Sequence, residues 1–263
     1  NTIWPDDVHA GAPALIRPAR WDRQVCVDDD VAVGAGVTLD IEPDTDVFCT
    51  GEASFSVYGA MSVGDAQAAE PARLVLAGDP QFTPGGWGGL FPSDSGVLSL
   101  EHAALEACLG IYTLPPNGNA TTVDIQDSEI TLADGQASAG LYFLVGAAVS
   151  VDGLTVNNGR FIRFDEASTV EDLAVHVSDD HTAEAISLYG DATLAGITVD
   201  NAHWGIECFG SAAPTIGAGP NGVSVSLSGR VSAIKGTAGI LATESSSPEV
   251  HYAAISGFED GVR

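Results

Sequence analysis

The stretch that decides the fold is residues 85–114, GGWGGLFPSDSGVLSLEHAALEACLGIYTL. A glycine turn surrounds Trp87, a short apolar strand follows, and the stretch closes on a Gly-Ile-Tyr step at Gly110, Ile111 and Tyr112. The step returns as Gly140-Leu141-Tyr142, Gly205-Ile206-Glu207, Gly239-Ile240-Leu241 and Gly261-Val262-Arg263. Markers of this kind at Ile111, Leu141, Phe161, Ile186, Ile206, Ile240 and Val262 advance by 30, 20, 25, 20, 34 and 22 residues. A second series of turn-then-strand units, marked by Ile130, Leu154, Leu173 and Ile197, advances by 24, 19 and 24. Two series that drift together describe repeating coils with inserted loops, near 114–120 and 214–222, where Pro, Asn and Gly favour turns.

Upstream the same logic is more regular. Val25, Val27, Val31, Val33, Val37, Leu39, Ile41 and Val47 alternate with polar residues and share one face. Val31 to Phe55, Val37 to Met61 and Leu39 to Val63 are each 24 residues apart. Short strands and turns recurring at such a step predict a solenoid whose coils stack at about the 4.8 Å strand spacing. Connections such as 157–163 are too short for crossover helices, which removes an α/β fold. A β-sandwich shares the short alternating strands but has no reason to show the paired series. The expectation is an all-β chain, a right-handed parallel β-helix of about eight to ten coils over residues 25–263. Residues 1–24, rich in Pro and Ala and carrying Arg17, Arg20 and Arg23, read as a leader or cap whose arginines pair with carboxylates.

Two motifs carry a resemblance. Val37-Thr-Leu-Asp-Ile-Glu-Pro-Asp44-Thr resembles the opening coil of bacterial right-handed parallel β-helix proteins of the pectin-lyase-like superfamily, and Phe82…Trp87-Gly88-Gly89-Leu90-Phe91 resembles the tryptophan-glycine turn that follows it. The likeness extends over residues 21–263 and gives Trp87, Gly88 and Gly89 structural roles. Asp44 stands where those proteins usually carry glycine; Asp tolerates a left-handed backbone better than most residues. The superfamily includes lyases, hydrolases, esterases, adhesins and phage spikes, so membership implies a fold and leaves the activity open.

Composition narrows the partners. Thirty-six acids face nine bases, a net charge of −27, and Lys235 is the single lysine. Such a surface repels nucleic acid and anionic membranes, because phosphate binding needs clustered Lys and Arg. No apolar run approaches the roughly 18 residues of a bilayer span. The acids suit either a surface screened by high salt or one rich in Ca2+, the one cofactor left open. The Ca2+ candidates are Asp28 and Asp30, within Asp28-Asp29-Asp30, and the even-numbered Asp40, Glu42, Asp44 and Asp46, which an extended backbone points outward. Cys26 and Cys49, 23 residues and so about one coil apart, are expected to stack closely enough for a disulfide, which implies an oxidising compartment. Cys108 and Cys208 read as buried thiols.

Chemistry has thin support. Ser178-Asp179-Asp180-His181 is the best catalytic candidate, because adjacent carboxylates beside a histidine can supply acid, base and relay. The resemblance reaches polygalacturonase-like hydrolases, which use such an Asp-Asp step, but the Gly-His-Gly and Arg-x-Lys steps that accompany it there are missing. Arg160 and Arg163 flank Phe161-Ile162; the resemblance implies that in a β-helix lyase an Arg or Lys abstracts the uronate C5 proton, whereas salt bridges to Asp165, Glu166 or Glu184 are the simpler role for this pair. Trp87, Trp204, Tyr112, Tyr142 and Tyr189 could form a sugar-stacking row if outward, with packing the competing role.

The sequence therefore points to an extracellular or cell-surface structural or binding module without catalysis, adhesive or glycan-binding. The alternative is a polysaccharide lyase or glycoside hydrolase on an acidic polysaccharide. A third expectation is an assembly subunit, because ending at Gly261-Val262-Arg263 inside a coil marker leaves edge groups for end-to-end self-association.

Overall fold

A computed structural model describes residues 14–15, 17–51, 53–76, 86–114, 120–136, 138–177, 184–217, 225–229 and 236–263. It is all-β, every strand pairing among the described residues is parallel, and it divides into two compact units, Asn1–Ala139 and Gly140–Arg263. Each unit is a parallel β-helix, and each coil has three sides.

In the first unit one side stacks Ala14–Leu15, Val31–Val33, Ser54–Val57, Gly89–Pro92 and Gly110–Tyr112. The second stacks Ala19–Trp21, Thr38–Ile41, Ala60–Gly64, Val97–Glu101 and the first half of Thr121–Leu132. The third stacks Val25–Val27, Asp46–Cys49, Ala72–Leu76, Ala103–Cys108 and the second half of Thr121–Leu132. The stack thus begins before Val25, with the pairs Ala14–Ala32 and Ala19–Leu39. The alternating apolar set points inward as expected: Val27, Val33, Leu39 and Val47 are fully buried. Val31 sits opposite Phe55, the 24-residue step, but Leu39 sits opposite Met61 and Ile41 opposite Val63. The corner before Ala60 is two residues shorter than its counterpart, so the step falls to 22 on that side.

The second unit repeats the plan. Gly140–Phe143, Ile162–Phe164, Glu184–Leu188, Trp204–Cys208, Gly236–Ala242 and Phe258–Val262 form one side. Ala147–Asn157 and Ser168–His176 supply both other sides of their coils. Later coils split these into Thr193–Ala195 and Thr198–Ala202, then Thr215–Ile216 and Val225–Gly229, then Glu249–Val250 and Ala253–Ser256. Leu141, Ile186, Ile206 and Ile240 share one buried column, but the member between the first two is Ile162; Phe161, the expected marker, has a left-handed φ of 53° and is only half-buried. Among the described residues this side and the first side of the first unit together carry ten rungs over residues 25–263, within the eight to ten expected, and one more, Ala14–Leu15, before them.

The corners explain the second marker series. Asp127, Gly153, Asp172 and Gly196 all have positive φ and stand one to three residues before Ile130, Leu154, Leu173 and Ile197. A left-handed residue bends the chain sharply between two sides of a coil, and Gly and Asp take that conformation at least strain. Asp44 is another, at φ 59°.

The Trp87 turn is built into the wall. Trp87 is fully buried, its indole N–H donates to the Glu106 carbonyl at 2.9 Å, and its ring meets Phe55 edge-on at 6.1 Å. Phe55 meets Trp21 in the same manner on its other side, at 6.2 Å. Gly88 donates to the Ala53 carbonyl at 2.7 Å, and a Cβ on Gly89, at φ 96°, would stand 2.3 Å from the Gly110 carbonyl oxygen. Only glycine lets the wall close there.

The expected Cys26–Cys49 disulfide is not present, and all four cysteines are free thiols. The ladder places Cys26 opposite Phe48 and Cys49 opposite Val27. The step is 22, not 23, and in a strand one residue moves a side chain to the other face. Cys49 is inside and Cys26 outside.

Candidate functional site

The outward face of the first side in the second unit gathers aromatic and charged groups on successive rungs. Because Leu141 and Phe143, Ile162 and Phe164, Ile186 and Leu188, and Ile206 and Cys208 point inward, the residues between them point out. Those are Tyr142, Arg163, Ser187 and Glu207, aligned on successive rungs. Alongside runs a second column in which Glu184 faces Trp204. At the following corner, Asp165 and Tyr189 complete the patch.

Arg163 is held on two sides. Its Nε and Nη2 donate to the two carboxylate oxygens of Asp165 at 2.5 and 3.1 Å, and its guanidinium carbon lies 4.2 Å from the centroid of the Tyr189 ring. The other face of Tyr189 is stacked on Phe209 at 4.5 Å and 6°. Tyr142 stacks on Phe161 at 6.5 Å. The hydrogen bond it donates to Asp165 is the largest influence raising the Arg163 pKa above its already high ordinary value. A guanidinium is a donor only, and in this arrangement that of Arg163 is bonded to Asp165 and lies against Tyr189.

The remaining charge is negative. Ser187 points outward by register yet is 3% exposed, and its hydroxyl donates to Glu184 Oε1 at 3.3 Å. Glu207, directly opposite Ser187, has its pKa raised first by burial and then by the Glu184 carboxylate. Burial also raises Tyr142 and Tyr189, with Glu184 adding to both and Arg163 opposing. Ion pairs among the described residues reach neither Glu184 nor Glu207.

The other sequence candidates are dispersed. Asp179, Asp180 and His181 lie outside the described residues. Asp30 accepts from the Ser54 hydroxyl at 2.5 Å, Glu42 pairs with Arg20 at 3.0 Å, and Asp40 stands between Arg20 and Ser62 in the ladder. Asp28 and Asp44 are exposed. Among the described residues no group of three or more His, Cys, Asp or Glu is arranged to hold a metal. A line that spacing did not suggest lies on another side of the second unit. His176 Nδ1 is 3.2 Å from Asp200 Oδ2, and the Ser228 hydroxyl donates to Asp200 Oδ1 at 3.0 Å. With Asp200 in the middle, the serine is bonded to the carboxylate and not to the imidazole, which is not the order that activates a nucleophile. Glu184 and Glu207 could have been found as outward neighbours of the Gly-Ile markers, given a register correct to one residue.

No protein-family model, no curated protein and no solved structure matches the chain.

Proposed function

We propose that this chain is a non-catalytic binding module of the pectin-lyase-like type, working outside the cell or at its surface. It holds a carbohydrate against the face formed by Tyr142, Glu184, Tyr189, Trp204 and Glu207. The supporting observation is the consumption of Arg163: its donor fork is taken by Asp165 and its flat face by Tyr189, so the one described sequence candidate for catalysis serves as a brace. What it braces is a half-exposed rim of aromatic rings and carboxylates. Aromatic surface packs against the apolar faces of sugar rings while carboxylates accept hydroxyl hydrogen bonds, and a rim locked before binding spends little entropy on ordering.

A hydrolase is the second reading, favoured by Glu184 and Glu207, two carboxylates in each other's field with Glu207 raised. That is the electrostatic asymmetry an acid and a base require. Affinity electrophoresis through gels cast with soluble polysaccharides, with parallel measurement of new reducing ends, tests both. Retardation without new reducing ends is the outcome expected; reducing ends that vanish in Glu207→Gln would replace the binding module with the hydrolase.

A further inference from the structure

The binding reading says nothing of the charge of the sugar, but the face does. The charged side chains at its surface are Arg163, Asp165, Glu184 and Glu207, with the Arg160 guanidinium buried nearby and acting on Tyr142. The first two cancel in a bidentate pair, and three guanidinium N–H bonds at most remain for any ligand. Asp165 is itself largely covered, its side chain 7% exposed. Glu184 and Glu207 are left as the accessible charges, on adjacent rungs, each partly desolvated and in no ion pair among the described residues. Trp204 stands opposite Glu184, and Tyr142 lies in the Glu184 field. Carboxylates next to aromatic surface make a setting for a protonated amine, which gains a charge-assisted hydrogen bond and attraction to the ring quadrupole together. Two half-buried like charges repel each other, and a cation between them relieves that repulsion; a uronate would add to it. The net charge of −27 steers cations toward the whole surface and anions away from it.

We infer that the face selects a glycan bearing protonated amino groups, a glucosamine-type polymer, over neutral and acidic ones, with Glu184 and Glu207 as the residues that determine this choice. The inference rests on the binding reading above. It reverses the sequence expectation that an acidic polysaccharide would be the substrate of any activity.

Isothermal titration of the whole chain with four oligosaccharides of matched length tests it: deacetylated chitosan, N-acetylated chitin, cellulose and polygalacturonate fragments, at about pH 6, where amine and carboxylate are both charged. The deacetylated chitosan fragment should bind most tightly. Glu184→Gln and Glu207→Gln should each weaken it about tenfold, the effect of one charge-assisted hydrogen bond, and weaken the neutral fragment by less, so that the preference for the cationic fragment narrows. Gln preserves shape, and matching thermal melts confirm folding. Equal binding of neutral and cationic fragments with both variants silent would overturn the charge selection and leave the binding face standing. Preference for the polygalacturonate fragment would overturn it as well. No binding of any fragment would overturn both.

Discussion

Arg163 and Tyr189, one rung apart on the outer face, are in contact through the guanidinium plane and the phenol ring, 4.2 Å from carbon to centroid. Tyr189 is in turn stacked on Phe209, so a cation and two rings form one column along the helix. A double-mutant cycle of Arg163→Ala and Tyr189→Ala should give a coupling of about 0.5–1 kcal/mol in chemical denaturation. The neighbouring salt bridge to Asp165 is about a third exposed on the arginine side and should add only a few tenths of a kcal/mol. A coupling indistinguishable from zero would mean that the column does not brace the face.

Glu207 makes a prediction about stability that needs no ligand. Its pKa lies above the ordinary carboxylate value because burial and Glu184 disfavour its charge. A carboxyl raised on folding contributes stability below its unfolded pKa and loses it as pH rises through the folded one. Glu207→Gln should therefore raise the melting temperature at neutral pH and make no difference at about pH 3, where the native carboxyl is already neutral. A variant less stable at both pH values would show that Glu207 is held by favourable contacts and is not under strain.

Trp87 should be among the most costly residues to truncate. It is fully buried, and with Phe55 and Trp21 it forms a continuous edge-to-face column through the first unit. Trp87→Ala should destabilise by about 3–5 kcal/mol, and Gly89→Ala should also be severe because its Cβ would strike the Gly110 carbonyl. Urea unfolding of the two variants reads this directly; losses below about 1 kcal/mol would mean that the turn is not a wall element.

The fold was legible because its signals are local and redundant. Each coil writes an alternating apolar set, and several corners write a Gly or Asp at a left-handed position, Asp44, Asp127, Gly153 and Asp172 among them. The site was not legible, because it depends on register between distant segments. Reading Phe161 as the marker in place of Ile162 shifts one rung by a residue, and reading Cys26 to Cys49 as one whole coil makes the same slip. Along a strand that slip exchanges inside for outside. Glu207 and Ser187 become neighbours only when the step of 20 residues between their rungs is known to the residue.

The thiols test that register. Burial pushes Cys108 up to about 12, burial with Glu207 does the same for Cys208, and burial raises Cys49 as well. The thiolate is the reactive form, so at about pH 8 iodoacetamide should modify Cys26 readily in the native protein and the other three only on unfolding. Raised thiols also stabilise less as pH climbs, so stability should fall from about pH 9 upward, and less steeply in Cys108→Ala. Loss of two titratable thiols without reductant would restore the disulfide.

Hydrogen exchange measured by mass spectrometry, with and without the tightest-binding oligosaccharide, addresses the binding face most directly. The account predicts slowed exchange confined to Gly140–Phe143, Ile162–Phe164, Glu184–Leu188, Trp204–Cys208 and the corner at Tyr189. Protection mapping instead to the His176–Asp200–Ser228 side, or to the first unit alone, would contradict it.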